Sequence, residues 1–242
     1  MRRAETGGER SIGEQSPRSL ARSSTSEIIY DELATQYENR WESYIRVTVD
    51  ACMERCRPLE ALGCPAKVLD VGTGTGALVK AMRARFPRFD VSGVDISENM
   101  LDVARTACPG CTFVLGAAEA LPFADSSFDA VVSLSSLHFW RDRAAGLREI
   151  ERVLRPSGVL ILTDWCHDYL ACKLCAWYLW LTPGHTKEEW SILGTREVLR
   201  MLASAGFTDN VDVDVYQIAS HMFGNPWLPR WGLMTLVARA AA

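Results

Sequence analysis

Apolar residues along this chain follow two rhythms. In "KVLDV" (67–71), "FDVSGVD" (89–95), "CTFVLG" (111–116), "FDAVVSLSS" (128–136) and "GVLILTDW" (158–165) they form short, nearly continuous runs rich in valine, isoleucine and leucine. Such runs are expected of strands covered on both faces. Between them, "ALVKAMRARF" (77–86), "SENMLDVARTA" (97–107) and "RAAGLREIERVLR" (143–155) place apolar residues three and four apart, as amphipathic helices do. Ser97 stands where a helix N-cap belongs, and Pro156 and Gly158 stop the third helix. Regular alternation of strand and helix predicts a parallel sheet with helices on both faces. Further on, "TREVLRMLASAGF" (195–207) predicts a helix. "NVDVDVYQIA" (210–219) and "GLMTLVARA" (232–240) predict two late strands, antiparallel at the sheet edge.

The flanks differ from this centre. Residues 1–26 are rich in Arg, Ser, Gly and Glu and almost devoid of apolar side chains, so a disordered tail is expected there. From Glu27 to about Leu62 the positions Ile28, Ile29, Leu33, Tyr37, Trp41, Tyr44 and Ile45 recur at helical spacing and predict one or two helices. Residues 166–192 concentrate aromatic side chains, including Tyr169, Trp177, Tyr178, Trp180 and Trp190. The expected organisation is a tail (1–26) and one domain (27–242), with helices at its start (27–62) and an insertion at 166–192.

Composition narrows the class. Hydrophobic residues make up 48% and charged residues 23% of 242, ordinary values for a globular chain. A net charge of −4 argues against a general nucleic-acid binder. No apolar run reaches the ~18 residues that a membrane span needs; the most apolar stretch, "YLACKLCAWYLWL", is shorter and contains Lys173. Eight cysteines without a secretory signal pattern point to free thiols in a reducing compartment, the cytoplasm. Two C-x-x-C pairs, Cys108/Cys111 and Cys172/Cys175, lie too far apart for a zinc-ribbon spacing, and no metal is expected.

The candidate chemistry sits in "VLDVGTGTGALV" (68–79), where Gly72, Gly74 and Gly76 follow a strand directly. In an open α/β sheet ligands bind beyond the carboxyl ends of the strands. Glycines there let the backbone approach a nucleotide-like ligand. Asp95, at the end of the next strand, can accept hydrogen bonds from a ribose diol. A dinucleotide fingerprint runs G-x-G-x-x-G; this chain has G-x-G-x-G, with Asp70 just before it. A pyrophosphate would not favour that carboxylate, whereas a ligand carrying an ammonium and a sulfonium would tolerate it.

At these residues the chain resembles the class I S-adenosylmethionine-dependent methyltransferases, and most of all the small-molecule branch with the ubiquinone and menaquinone C-methyltransferases. The resemblance rests on "VLDVGTGTG", "VSGVDISENML", "GAAEALPFADSSFDAVVS", "LREIERVLRPSGVLILTD" and "YDELATQYENRW". It implies a Rossmann-like, doubly wound, mostly parallel seven-stranded sheet with an antiparallel edge strand. It implies S-adenosylmethionine as cofactor. Gly72, Thr73, Gly74 and Thr75 should meet its methionine part, with Asp70 supporting the loop or the ammonium. Asp95 should hold the ribose hydroxyls, Ile96 should pack on the adenine, Ala118 and Glu119 should lie at the adenine edge, and Ser133 and Leu134 beneath the methionine. Relatives often carry Asp or Asn where this chain has Ala117.

Methyl transfer from a sulfonium is an in-line displacement, which needs alignment above all. A base is required only for a protonated acceptor. His138 and His167, after the fourth and fifth strands, are candidates for a base or a substrate contact. Tyr37, Trp41, Tyr169, Trp177 and His185 are candidates for the acceptor pocket. The expected function is methyl transfer to a small molecule, without nucleic acid and without a membrane span. A protein or tRNA methyltransferase and a non-catalytic S-adenosylmethionine-binding protein stay open as alternatives.

Overall fold

The computed structural model describes residues 42–181, 193–207, 211–221, 227 and 230–241. The expected tail, the acceptor-pocket candidates Tyr37, Trp41 and His185, and residues 182–192 of the aromatic segment lie outside them.

Helix α1 covers residues 42–55. Then follow β1 (Lys67–Val71), α2 (Ala77–Arg85), β2 (Asp90–Asp95), α3 (Glu98–Ala107), β3 (Thr112–Leu115), β4 (Phe128–Leu134), α4 (Arg143–Val153), β5 (Leu154–Trp165), α5 (Leu170–Leu181), α6 (Thr195–Ser204), β6 (Asp212–His221) and β7 (Arg230–Arg239). The seven strands form one sheet in the order β3-β2-β1-β4-β5-β7-β6. The first five pair in parallel. β7 runs antiparallel to β5 and to β6, which forms the outer edge. The expected fold class is the one observed, with the antiparallel strand one place in from the edge.

Side chains of alternate strand residues feed two cores, as the pleat dictates. Leu69, Val71, Val131, Leu160 and Leu162 face α4 and α6, where Leu147, Ile150, Val198, Leu202 and Phe207 are buried. Val68, Val91, Ala130, Val132, Val159 and Ile161 face α1, α2 and α3, meeting Cys52, Cys56, Val79, Met82 and Leu101. Burial on both faces is why these strands appear in the sequence as apolar runs rather than alternations. Ser97 caps α3 as expected, its hydroxyl accepting from the Met100 amide at 3.2 Å. One boundary shifted. Helix α4 stops at Val153, and β5 begins at Leu154, where the sequence suggests helix to Arg155. Leu154 is extended (φ −70°, ψ 142°) and pairs with Phe128, so strand pairing outweighs helical spacing just before Pro156.

Strand order reverses between β1 and β4, its two neighbours β2 and β4 lying on opposite sides of β1. A crevice opens at such a switch, beyond the carboxyl ends of the strands. The loop after β1 enters it.

Candidate cofactor and active site

The loop after β1 has Gly72, Gly74 and Gly76 at φ +74°, +52° and +80°, all in the left-handed region. At Gly72 a side chain is excluded twice, because a Cβ would also stand 2.4 Å from the Ser136 Cβ. At Gly74 a Cβ would meet nothing within 4 Å, since that face of the loop opens onto a cavity. The Gly72 and Thr73 amides both donate to the Val94 carbonyl, at 2.9 and 3.0 Å, tying the loop to β2.

Two carboxylates meet this loop. Asp95, at the end of β2, accepts from the Gly74 amide at 2.8 Å and from the Ser97 amide at 3.0 Å. Its carboxylate is thus oriented by the loop in front and the α3 cap behind. Asp70 is buried, and its Oδ2 accepts from the Thr73 hydroxyl at 2.8 Å. Its Oδ1 is buried with no hydrogen-bond partner. Burial pushes the Asp70 carboxyl up to about 7, against the Thr73 hydrogen bond and with a small push from Asp95. Asp70 borders a cavity, and a buried carboxylate with an unpartnered oxygen is stabilised in its charged form by a cationic group placed nearby.

The cavity has a volume of about 370 Å³, within the usual range for small-molecule sites. Asp70, Gly72, Thr73, Gly74, Thr75, Asp95, Ile96, Ala118, Glu119 and Leu134 all line it. The residues singled out for a cofactor therefore converge, from four separate stretches of chain. Ser133 sits one layer back. Its hydroxyl donates to the Val71 carbonyl at 2.9 Å and lies 2.7 Å from the Ser136 hydroxyl. Glu119 borders the cavity while its Oε1 accepts from the Arg141 and Asp142 amides at 2.7 and 3.2 Å, fastening the segment after β4.

Sequence reasoning missed part of the wall. Tyr44, Ile45, Thr48 and Val49 of α1 close one side, and Phe139, Trp140 and Arg141 close another. The helical spacing of Tyr44, Ile45, Thr48 and Val49 marks a single face of α1, the one signal available beforehand. The Tyr44 hydroxyl accepts from the Trp165 indole N–H and lies 3.5 Å from the Ser135 hydroxyl.

The remaining candidates take other places. The His138 Nδ1 is 2.7 Å from Asp164 Oδ1, with both residues at most 3% exposed. The His138 ring stacks on Trp165 at 5.1 Å, and Trp165 on Trp231 at 5.1 Å. His167, half-buried, joins the start of α5 to the segment before α6 through its amide, which donates to the Leu193 carbonyl at 2.9 Å. Tyr169 packs over Gly232, where a Cβ would fall 1.9 Å from its ring. Trp177 is 58% exposed on α5. None of these four side chains is part of the cavity wall that the described residues form. Among the described residues no cluster of three metal-ligating side chains occurs, and no helix is long and apolar enough to cross a membrane.

Comparison with known proteins bears on this geometry. Residues 69–162 match the family model described as "Methyltransferase domain". A demethylmenaquinone methyltransferase from Thermotoga maritima is 37% identical over 100 residues, 41% of this chain and 44% of that protein. The chain spans about half the length of the curated relatives it matches. In fold it is similar to a chain from the complex of the Haloferax volcanii Trm112 methyltransferase activator with a methyltransferase. That match has a TM-score of 0.69 and 21% identity, and covers 88% of this chain and 98% of the other. It is also similar to a phosphoethanolamine N-methyltransferase from Haemonchus contortus solved with S-adenosyl-L-methionine. There the TM-score is 0.60 at 18% identity, over 80% of this chain and 52% of that one.

Proposed function

We propose that this chain, which carries a class I S-adenosylmethionine-dependent methyltransferase domain, transfers a methyl group to a small-molecule acceptor by in-line displacement. The observation that carries the reading is the pair of carboxylates, Asp70 and Asp95, held on one glycine loop at the wall of a single cavity. Bound there, S-adenosylmethionine supplies an electrophilic methyl group on a positively charged sulfur. The orphaned Asp70 oxygen would face the ammonium of the methionine part, and Asp95 the ribose hydroxyls. Ile96 and Ala118 would cover the adenine. The apolar side chains of Ile45, Val49, Phe139 and Trp140 exclude water around the reacting centre, where alignment matters most. The same walls suit a flat, largely apolar acceptor, in keeping with the quinone named for the Thermotoga maritima relative. The reading carries with it a biosynthetic role in the cytoplasm.

Asp70 gives the reading a pH signature. Its carboxyl lies at about 7 in the folded chain against an ordinary 3.8. The folded protein thus holds a proton that the unfolded chain releases, and its stability falls as pH rises from about 4 to about 7. A cationic partner lowers the Asp70 value. Binding below pH 7 therefore expels the proton, and affinity rises with pH up to about 7 and then levels. Calorimetry with S-adenosylmethionine near pH 6, below the ~7.7–8.0 of an α-amino group, should show release approaching one proton. Asp70→Asn should abolish it. Binding without proton release in the unaltered protein would remove Asp70 from the site. Methyl-labelled S-adenosylmethionine incubated with the protein and a cell extract should then place label in the small-molecule fraction. Label confined to protein or RNA would overturn the acceptor class.

A further inference from the structure

The stretch Cys108-Pro109-Gly110-Cys111 lies where α3 hands over to β3, at the far end of the strands from the cavity. The last turn of α3 closes with the Cys108 amide donating to the Ala104 carbonyl at 2.9 Å. The Cys111 amide then donates to the Cys108 carbonyl at 3.2 Å, and Gly110 has φ +91°. Proline second, a left-handed glycine third and a bond from the fourth residue to the first are the marks of a type II turn. Such a turn keeps its outer Cα atoms within about 7 Å, a span close to what disulfides bridge. The two sulfurs face each other at 2.8 Å. Cys108 is buried, while Cys111 is only half-buried, so Cys111 is the member of the pair that a solvent-borne partner meets first. No third metal-ligating side chain joins them among the described residues. The methyl-transfer site makes no use of either thiol.

We propose that Cys108 and Cys111 are a thiol–disulfide modification site, closing reversibly to an internal disulfide that ties the end of α3 to the start of β3. Glutathione disulfide is a sufficient oxidant. The Cys111 thiolate attacks one of its sulfurs, forming a mixed disulfide and expelling glutathione thiolate. Cys108 then loses its proton to solvent and attacks the Cys111 sulfur, forming the internal bond and expelling the second glutathione. Two protein thiols are oxidised, and one glutathione disulfide is reduced to two glutathiones. Burial and the neighbouring Cys108 push the Cys111 thiol up to about 12, against the pull of Arg83. Exchange is therefore slow at neutral pH, and the equilibrium is the quantity to measure.

The test uses the whole protein equilibrated in glutathione buffers of graded oxidation, quenched with acid, alkylated, digested and weighed. The peptide holding residues 108–111 should lose the mass of two hydrogen atoms and escape alkylation as the buffer becomes oxidising. Dithiothreitol should restore both thiols. Cys111→Ser and, independently, Cys108→Ser should prevent the change. The oxidised protein should melt several degrees higher, with its affinity for S-adenosylhomocysteine within about twofold of the reduced form, because the turn is remote from the cavity. Two alkylated thiols in every buffer, a stable glutathione adduct on Cys111 beside a free Cys108, or a lower Tm on oxidation would each overturn the assignment.

Discussion

The loop after β1 and the helix after β5 lie at the same end of the sheet and are held in opposite ways. The loop is fixed by main-chain geometry: left-handed glycines, two amides on the Val94 carbonyl and an amide on Asp95. Helix α5 is fixed by packing. It buries Ala171 and Cys172 against Trp231, Leu233 and Ile218, and Tyr169 just before it lies on Gly232. Its outer face shows Leu170, Leu174 and Trp177, which are 63%, 41% and 58% exposed. Substitutions in the loop should therefore act through backbone strain and lost polar contacts. Substitutions on the outer face of α5 should leave the folded domain nearly unchanged.

The largest expected effect tests the rigid side of that contrast. Gly72→Ala adds a left-handed alanine and a Cβ inside the Ser136 side chain. We expect a loss of about 2–4 kcal/mol of stability, read from the urea midpoint. A loss below about 1 kcal/mol would mean that the loop yields, and the contrast with α5 would fail. Next comes Asp95→Ala, which removes the acceptor for the Gly74 and Ser97 amides. Affinity for S-adenosylhomocysteine should drop by about 1–3 kcal/mol, on the scale of an unsatisfied hydrogen-bonding group. Unchanged affinity in calorimetry would take Asp95 out of the ligand's reach. The smallest effect belongs to Trp177→Ala. Stability should stay within about 0.5 kcal/mol and cofactor affinity should not move, so that any change in turnover belongs to the acceptor. A coupled fall in Tm and cofactor affinity would instead make Trp177 part of the shared structure.

The legibility of the sequence divides along the same line. The strand β1, the Ser97 cap, the glycine loop of Asp70, Gly72 and Gly74, and the place of Asp95 at the end of its own strand are local features. Each is marked by residue types within a short window, because turn geometry and capping act over a few residues. The position of β7 between β5 and β6 is not local; alternation predicts strands but not the order in which late ones insert. His138 follows the same logic. Its place after β4 is visible in the sequence, but its partner Asp164 lies 26 residues away, and only tertiary packing shows that the pair is sealed beneath Trp165. The α1 wall of the cavity was half legible. The spacing of Tyr44, Ile45, Thr48 and Val49 reveals a face, while the surface that face covers depends on how α1 docks across the switch in strand order.

The hydrogen bond between the Gly74 amide and Asp95 has a kinetic consequence. Loop and carboxylate are tied directly to each other, so a ligand entering the cavity does not have to wait for either to reorganise. Little ordering entropy remains to be lost on arrival. Variants of the loop should accordingly differ in how long a ligand stays far more than in how quickly it enters, and residence time is where the glycine loop makes itself felt.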